Sequence, residues 1–338
     1  MFKKRILFSS LIVLVVLIIV FSYQLVFLPV NLLAEEEVIF KIEKGNSSRG
    51  IASALAQENL IRSAFAFRLY VFMNGTIKNL KAGEYLLSPS MNVPQIANKI
   101  VKGEVITEKV TIIEGWNLRE ISFLFQEMTM FETDDFLEKA NQDFSEKFSF
   151  LEDKPKNLNL EGYLFPDTYE MTKQEKLEDV IEKMLDNFDK KLTNELREEI
   201  EKQEKSIFEI IVMASMIEKE VKTIEDKKIV SGILWKRLEI DMPLQVDATI
   251  AYVLKSEKWS FDQMRREIHL AKDIDSPYNT YKYRGLPLGP IANPGINSIK
   301  AAIYPESSDF WYYLSTPQGE TIFSKTLAEH NIARAKHF

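Results

Sequence analysis

The sequence has no cysteine among its 338 residues, and this absence excludes several kinds of chemistry. A disulfide framework, a thiol nucleophile and a lipid-modified cysteine anchor all require that residue. Only three histidines are present, and none has the spacing of a metal ligand pair. The sequence therefore predicts no metal site.

Other common signatures are also missing. The chain contains neither type of glycine-rich phosphate-binding loop and no G-x-S-x-G nucleophile turn. It has no basic excess, because its formal net charge is −7 even with Lys3, Lys4 and Arg5 counted. An acidic balance disfavours a nucleic-acid partner, which would require a basic face.

The N-terminus has the longest apolar run. Residues 6–34 are uncharged and residues 11–21 are unbroken apolar sequence, which suits a membrane helix of about 20 residues. Basic residues before the run and acidic residues after it place the N-terminus inside and the remainder outside. We expect a single-pass anchor over residues 1–34 in the cytoplasmic membrane. A cleaved signal peptide is the alternative, although Leu32, Leu33 and Ala34 form a poor cleavage site.

Residues 35–106 predict a small α+β module, and residues 107–155 a second strand–helix module with a linker. Four residues recur at an offset of 70: Ile42, Gly45, Arg49 and Ile51 match Ile112, Gly115, Arg119 and Ile121. Strand–turn–helix units of this kind resemble LysM-type glycan-binding modules. The alternative is a spacer that holds the later domain away from the membrane.

Residues 156–338 predict the main domain, which is mostly helical and ends with a β-hairpin and a helix. The hairpin strands are predicted at 310–315 and 321–324. The fold class is therefore α+β: an N-terminal transmembrane helix, small LysM-like α+β modules and a mainly helical main domain with a β-hairpin.

One carboxyl stands out in the helix predicted from Ser206 to Val221. Glu218 follows Ala214 by four residues and Ile211 by seven, so it points into the apolar arc, whereas Glu220 points about 200° away. Burial raises a carboxyl pKa, as a general acid near neutral pH requires. Periodicity alone leaves open a Glu218 that pairs with Lys222 or reaches the surface.

Two loops add candidates for sugar binding. Gln245 and Asp247 lie between predicted helices, although Asp247 could serve only as a helix cap. The loop 276–295 combines Tyr278, Asn279 and Tyr281 with several Pro and Gly residues. Tyrosine rings can stack on the apolar faces of sugars, while Asn can bond hydroxyl groups. A purely structural loop would have similar Pro and Gly content.

Six stretches resemble, in order, the endolytic murein transglycosylases of the YceG-like family. They are EGYLFPDTY at 161–169, MASMIEKE at 213–220, LQVD at 244–247, SPYNTY at 276–281, GLPLGPIANPG at 285–295, and residues 323–331. One departure is Val246-Asp247-Ala248-Thr249, where the family often has Thr-Asp-Pro-Thr. This departure weakens the role of Asp247 more than that of Glu218.

The resemblance implies cleavage of the β-1,4 bond between N-acetylmuramic acid (MurNAc) and N-acetylglucosamine (GlcNAc) within a strand, leaving a 1,6-anhydro end and terminating strand elongation. Mapped onto this chain, it makes Glu218 the catalytic acid and base. No cofactor is implied, and the substrate-positioning residues would be Gln245, Asp247, Tyr278, Asn279, Tyr281, Glu161, Tyr163 and Asp167.

The implied partners are peptidoglycan strands and the membrane, with peptidoglycan synthases as further candidates. Two alternatives remain: a muramidase that uses water, and an anchored, non-catalytic glycan-binding scaffold. The chemical form of the product ends would distinguish the muramidase. Glu218→Gln would distinguish the scaffold, because a scaffold would keep its role after this substitution whereas the enzyme would lose activity.

Overall fold

The computed structural model describes residues 2–173, 175–256, 271–316 and 318–337, with side chains from residue 11 onward except at residues 18, 19, 255 and 256. Met1 of the predicted anchor lies outside these residues. So do Gln174, Pro317, Phe338 and residues 257–270 of the predicted catalytic domain.

The chain forms two compact units. The first comprises the chain up to Glu108 with a short segment beginning at Glu170, and the second comprises Lys109–Tyr169 and the chain from Glu175. The finer division predicted at residues 34, 106 and 155 stays a prediction.

The first unit begins with helix α1 (Phe2–Phe27). Its other elements are β1 (Val38–Ile42), α2 (Ser48–Gln57), α3 (Ala64–Met73), β2 (Gly83–Leu87) and α4 (Val93–Lys102). No helix in the described part of the chain has both the length and the apolar character that a membrane crossing requires.

The core of the first unit follows from strand alternation and helix capping. β1 and β2 pair antiparallel, and Phe40 and Tyr85, which lie opposite each other, are both buried. Ser47 accepts a hydrogen bond from the Gly50 N–H at 3.1 Å and starts α2. Gly103, with φ of +76°, ends α4 in the left-handed conformation.

A second strand–helix–helix–strand order follows along the chain. Its elements are β3 (Glu108–Thr111), α5 (Leu118–Glu127), α6 (Thr133–Ala140) and β4 (Thr168–Met171), and β3 pairs with β4. A short 3₁₀ turn (Ser149–Leu151) precedes β4.

The predicted repeat is present in the backbone of the two βααβ segments. Gly45 and Gly115 have φ of +91° and +82°. Asn59 and Thr129, also 70 residues apart, have φ of +54° and +53°. The two segments therefore share their turn geometry as well as their apolar positions.

The remaining elements of the second unit are mainly helical. They are α7 (Leu177–Lys191), α8 (Asn194–Lys202), α9 (Ile207–Glu220), α10 (Ile224–Glu239), α11 (Asp247–Ser256), a 3₁₀ turn (Ala271–Asp273), α12 (Ile296–Ile303), β5 (Tyr312–Ser315), β6 (Thr321–Ser324) and α13 (Leu327–His337). β5 and β6 form the predicted antiparallel hairpin. The α+β, mainly helical class is confirmed.

Helix α9 lies at the centre of this unit. A capping box between Ser206 and Glu209 starts it, and every residue from Ile210 to Ile217 is buried. It contacts α8, α10, α11 and α12. The C-terminal turn of α9 is thus held from several sides, which fixes the direction of its last side chains.

Candidate active site

Glu218 is buried in an ion pair. Its side chain is 8% exposed, and its Oε1 lies 3.0 Å from Nζ of Lys227 on α10, whose side chain is 5% exposed. Its Oε2 accepts hydrogen bonds from the Gly295 N–H at 3.0 Å and the Ser298 hydroxyl at 2.6 Å. Both carboxylate oxygens are therefore occupied by donors from the protein.

This arrangement differs from the one that the sequence predicts. The core-facing direction of Glu218 is right, but the carboxyl is not an unpaired group in an apolar pocket. The partner is Lys227 on the following helix, and not Lys222. Glu218 is also not among the residues lining the two cavities that the structure describes beside the end of α9.

Glu220, two residues later, lies between those two cavities and lines both. It accepts hydrogen bonds from the Ala248 N–H and the Tyr313 hydroxyl. Burial, followed by the nearby negative charge of Asp247, raises the pKa of Glu220 to about 7. Such a carboxyl is protonated in a useful fraction of molecules at neutral pH, as a general acid must be.

Glu220 projects away from the direction of Glu218, as predicted, but it does not project into open solvent. The helix geometry behind the prediction holds, because residues two apart on α9 do project in very different directions. However, α11 and β5 cover the other side of α9 through Ala248 and Tyr313, so that direction leads into a cleft.

The larger cavity has a volume of about 450 Å³, and the smaller one about 250 Å³. Both include Glu220 and Asp247, so the two carboxyl groups lie where the cavities meet. The larger cavity is further lined by Gln245, Tyr281, Tyr313 and Arg237, among others. The smaller one is lined by Asn117, Lys219, Ala248, Ala251, Tyr252 and Ile291.

Three predicted site residues meet in the larger cavity. The Tyr281 hydroxyl donates to Asp247 Oδ1 at 2.5 Å, and Gln245 lies beside them. The two loops hold each other, because the Gln245 N–H donates to the Thr280 carbonyl at 3.1 Å. Burial and the Asp247 charge raise the pKa of Tyr281, which therefore remains a hydrogen-bond donor.

Glu161 and Tyr278 lie behind the smaller cavity. Tyr252 lines that cavity, and its ring packs against Tyr278 in a tilted arrangement with ring centres 5.0 Å apart. Its hydroxyl lies 3.3 Å from Glu161 Oε2. Glu161 is 4% exposed, and burial raises its pKa to about 8. It also accepts from the Leu118 N–H at the start of α5.

Asn279 is fully buried and braces its own loop. Its Nδ2 donates to the carbonyls of Lys272 and Ile274 at 2.9 and 2.8 Å, while its Oδ1 accepts from the Tyr281 N–H at 2.9 Å. The sequence predicts that the Asn279 side-chain amide binds a sugar hydroxyl, but in the structure this amide is bonded to the backbone of its own loop. Asn279 therefore shapes the loop that presents Tyr281.

Tyr163 and Asp167 are not part of this cleft. The Tyr163 ring is fully buried beside Phe150 and Phe188, with ring centres 6.2 and 5.5 Å away. Asp167 is held by Asn187 at 3.0 Å and Lys191 at 3.5 Å. Neither residue lines either of the two described cavities at Glu220.

Sequence reasoning missed several residues of the larger cavity. Besides Glu220 and Tyr313, they include Arg237, Lys272, His330 and Arg334. The second Glu of the EKE motif was an available signal for Glu220. No sequence signal pointed to the cationic residues, because they come from three elements that are separate in the sequence: α10, the turn before the 276–281 loop, and α13.

Within the described residues, no group of His, Cys, Asp and Glu side chains could hold a metal ion. The chemistry that this cleft offers is a carboxyl that can give and take a proton, next to a second carboxylate and tyrosine hydroxyls.

The profile of the YceG-like family matches residues 40–336. A protein of Bacillus subtilis (strain 168), named endolytic murein transglycosylase, is 33% identical over 326 residues, which cover 91% of this chain and 87% of that protein. A protein of the same name from Streptococcus pneumoniae (strain D39) is 28% identical over 344 residues. That match covers 94% of this chain but 62% of the pneumococcal protein, so the chain spans under two thirds of that relative's length.

A solved structure is also similar. The crystal structure of a YceG-like protein from Listeria monocytogenes, at 2.6 Å resolution, has 35% sequence identity and a TM-score of 0.60. The match covers 88% of this chain and 99% of that chain.

Proposed function

The chain belongs to the YceG-like family, and from this membership and the surroundings of Glu220 we propose that it is an endolytic peptidoglycan lytic transglycosylase. The bond cleaved is the β-1,4 linkage between MurNAc and GlcNAc inside a strand. One observation supports the proposal most: a carboxyl with a pKa of about 7 lies where two cavities meet.

In the proposed reaction, Glu220 replaces Glu218 as the catalytic group. The protonated Glu220 gives its proton to the glycosidic oxygen as the bond from that oxygen to C1 breaks. The resulting carboxylate takes the proton of the muramoyl 6-hydroxyl, and O6 bonds to C1 as a 1,6-anhydro ring. The glutamate ends as it began, and the substrate supplies the nucleophile, so a second catalytic carboxylate is unnecessary.

Neighbouring groups assist in defined ways. The negative charge of Asp247 favours the positive charge that develops at C1 in an oxocarbenium-like transition state. The Tyr313 hydroxyl and the Ala248 N–H hold the Glu220 carboxyl in one orientation. The Lys227–Glu218 pair, joined to Gly295 and Ser298, anchors the last turn of α9 from its other side.

The decisive experiment compares Glu220→Gln with Glu218→Gln on purified peptidoglycan, with product ends identified by mass spectrometry. The wild type should produce 1,6-anhydro ends, and Glu220→Gln should lower the rate by about 10²–10⁴-fold while melting like the wild type. Glu218→Gln should lower the melting temperature, because it leaves Lys227 buried without its charged partner.

Other outcomes have clear meanings. A folded Glu218→Gln protein without activity, alongside an active Glu220→Gln protein, would return the catalytic role to Glu218. Reducing ends would identify a hydrolytic muramidase. Strand binding without any cleavage by the wild type would identify a glycan-binding scaffold.

We further propose that residues 1–34 anchor the chain in the cytoplasmic membrane, with the second unit on the extracytoplasmic side. Support comes from the basic residues before, and the acidic residues after, the apolar run of residues 11–21. The strand–helix–helix–strand order of residues 38–87 supports a LysM-like glycan-binding module. Strand termination beside peptidoglycan synthases is the cellular role that this placement would allow.

A further inference from the structure

The larger cavity has an uneven charge. Three cationic side chains line it, Arg237, Lys272 and Arg334, against the two carboxyl groups of Glu220 and Asp247. In the form competent for catalysis, Glu220 is protonated and neutral. His330 adds no charge at neutral pH, because burial and the nearby arginines lower its pKa below the usual 6.5. The working cavity therefore contains three cations and one carboxylate.

Two of these cations already have partners. Arg237 is 4% exposed and donates to the carbonyls of Trp311 and Leu244, with its Nε–O distance to Trp311 at 3.0 Å and its Nη1–O distance to Leu244 at 2.7 Å. Lys272 lies 3.8 Å from Asp247 Oδ1 and 4.1 Å from the centre of the Tyr281 ring. Both charges contribute to the field in the cavity. The donors of Arg237 are engaged, whereas Lys272 is held by an ion pair with Asp247 that is longer than a hydrogen bond.

Arg334 on α13 differs from both. It is exposed, lines the cavity, and has no carboxylate within ion-pair distance in the part of the chain that the structure describes. A guanidinium with unused donors, beside a cavity that is already positive, is suited to a carboxylate of a ligand, which it can bind through two parallel hydrogen bonds.

The smaller cavity has a different lining. Ala248, Ala251, Tyr252 and Ile291 make much of its wall apolar, and its lysine, Lys219, donates to the Gly115 carbonyl at 3.0 Å. The two sugars at the scissile bond differ in a corresponding way. Only the muramoyl sugar has a 3-O-lactyl substituent, which ends in a carboxylate or continues into a peptide that bears carboxylates.

From this asymmetry we infer that the larger cavity binds the muramoyl sugar, with a carboxylate of its lactyl substituent or attached peptide on Arg334. The GlcNAc leaving group then occupies the smaller cavity, which sets the direction of the strand across Glu220. The inference rests on the proposed function and adds to it a substrate orientation and a residue that determines specificity.

The test uses the full chain and chemically matched strands. Glycan strands stripped of peptide by an amidase carry the free lactyl carboxylate, and the same strands converted to the primary amide are neutral. A third substrate is the uncrosslinked strand with its peptides. Variants are Arg334→Gln and, as a control on the same helix, the exposed Lys336→Gln.

The wild type should cleave at least one carboxylate-bearing substrate about five- to tenfold faster, as kcat/KM, than the amide strand. Arg334→Gln should lower the ratio of kcat/KM for the carboxylate strand to kcat/KM for the amide strand to about one, whatever its rate on the amide strand. Lys336→Gln, outside the cavity lining, should retain the wild-type ratio. Dependence on Arg334 in stripped strands identifies the lactyl carboxylate. Dependence confined to peptide-bearing strands identifies the peptide.

The inference is overturned if Arg334→Gln has the same substrate preference as the wild type. That outcome is separable from failure of the proposed function, in which the wild type yields no anhydro ends from any strand. In that case the inference is tested by binding. The ratio of the Kd for the acid strand to the Kd for the amide strand is measured for Glu220→Gln and for Glu220→Gln/Arg334→Gln. The same ratio in both proteins would refute the inference.

Discussion

Three buried or half-buried carboxyl groups in the second unit have distinct surroundings. Glu218 faces an ammonium group, a backbone N–H and a hydroxyl, and is fully engaged. Glu220 faces a second carboxylate across open volume. Glu161 lies in the interior and accepts from the Leu118 N–H, Tyr252 and Asn293, but burial outweighs these bonds and raises its pKa to about 8. Residue type alone therefore does not decide which glutamate can act as an acid.

The first residue-scale prediction concerns pH. Because the pKa of Glu220 is raised to about 7, its acid form predominates below that pH and is lost above it. We expect kcat/KM for strand cleavage to fall as pH rises through about 7. Tyr313→Phe removes a donor that favours the carboxylate, so the falling limb should move to higher pH by about one unit. A rate unchanged between pH 6 and about 8 would contradict this assignment.

The second prediction concerns stability. The pKa of Glu161 is raised by burial from 4.5 to about 8, so the folded protein holds this proton more tightly than the unfolded chain does. Its stabilising effect is complete below about pH 4.5 and is lost as pH rises through about 8. Wild-type stability should thus decline over this range, and Glu161→Gln should reduce the decline by a few kcal/mol.

Thermal or urea unfolding at pH 5 and pH 8 measures this difference. Glu146→Gln, at an exposed position, is the matched control and should leave the decline unchanged. An equal decline in Glu161→Gln and the wild type would show that Glu161 ionises in the folded state without cost.

At the scale of elements, α10 packs closely against the segment that follows α12. The Glu306 N–H donates to the Lys228 carbonyl at 3.0 Å, and a Cβ at Gly232 would lie 2.0 Å from the Glu306 carbonyl oxygen. The neighbour is backbone and cannot rotate away. Gly232 is therefore needed for this packing, although glycine lowers helix propensity.

A pair of helical glycines tests this explanation. Gly232→Ala should destabilise the second unit by about 1–3 kcal/mol, because the backbone must move to make room. Gly50→Ala, on α2, would place its Cβ 3.6 Å from Ser47 Oγ, an ordinary contact, and should stabilise the first unit by up to about 1 kcal/mol. Urea unfolding measures both changes, and equal effects of the two substitutions would contradict the packing argument.

At the scale of the whole molecule, the chain uses one strand–helix–helix–strand order twice. In the second of these segments, the turn at Gly115 is hydrogen-bonded to α9 and to the loop before α12. The Gly115 N–H donates to the Asn293 carbonyl at 2.9 Å, and Lys219 on α9 donates to the Gly115 carbonyl at 3.0 Å. Asn293 also accepts from the N–H groups of Gly162 and Leu164. This copy therefore supports the cleft directly.

The whole-molecule prediction concerns the proposed anchor. The full chain, expressed in a bacterium, should sediment with membranes, resist washing with salt and alkali, and be released by detergent. Leu14→Arg with Leu17→Arg should shift it to the soluble fraction, because each arginine at the centre of a membrane helix costs about 2.5–3.5 kcal/mol. Release of the wild type by salt, or a mass lacking residues 1–34, would refute a retained anchor.

Local features were predictable because short-range physics produces them. Strand alternation, helix caps at Ser47 and Ser206, and the left-handed glycines at 45 and 115 follow from neighbouring residues. The buried character of α9 follows from its composition, and the hairpin from its apolar strands. Gln245, Asp247 and Tyr281, which the sequence predicts to position the substrate, lie together in the larger cavity, and their role there stays a prediction.

The roles of Glu218 and Glu220 were decided only by tertiary structure. Periodicity specifies the angle between the two side chains on α9, and that angle holds. It cannot specify what covers each side of the helix, because Lys227, Ala248 and Tyr313 come from separate elements whose packing depends on long-range contacts. One side of α9 forms the ion pair of Glu218, and the other side faces the cleft at Glu220. For this reason the proposed catalytic group is Glu220 and not the predicted Glu218.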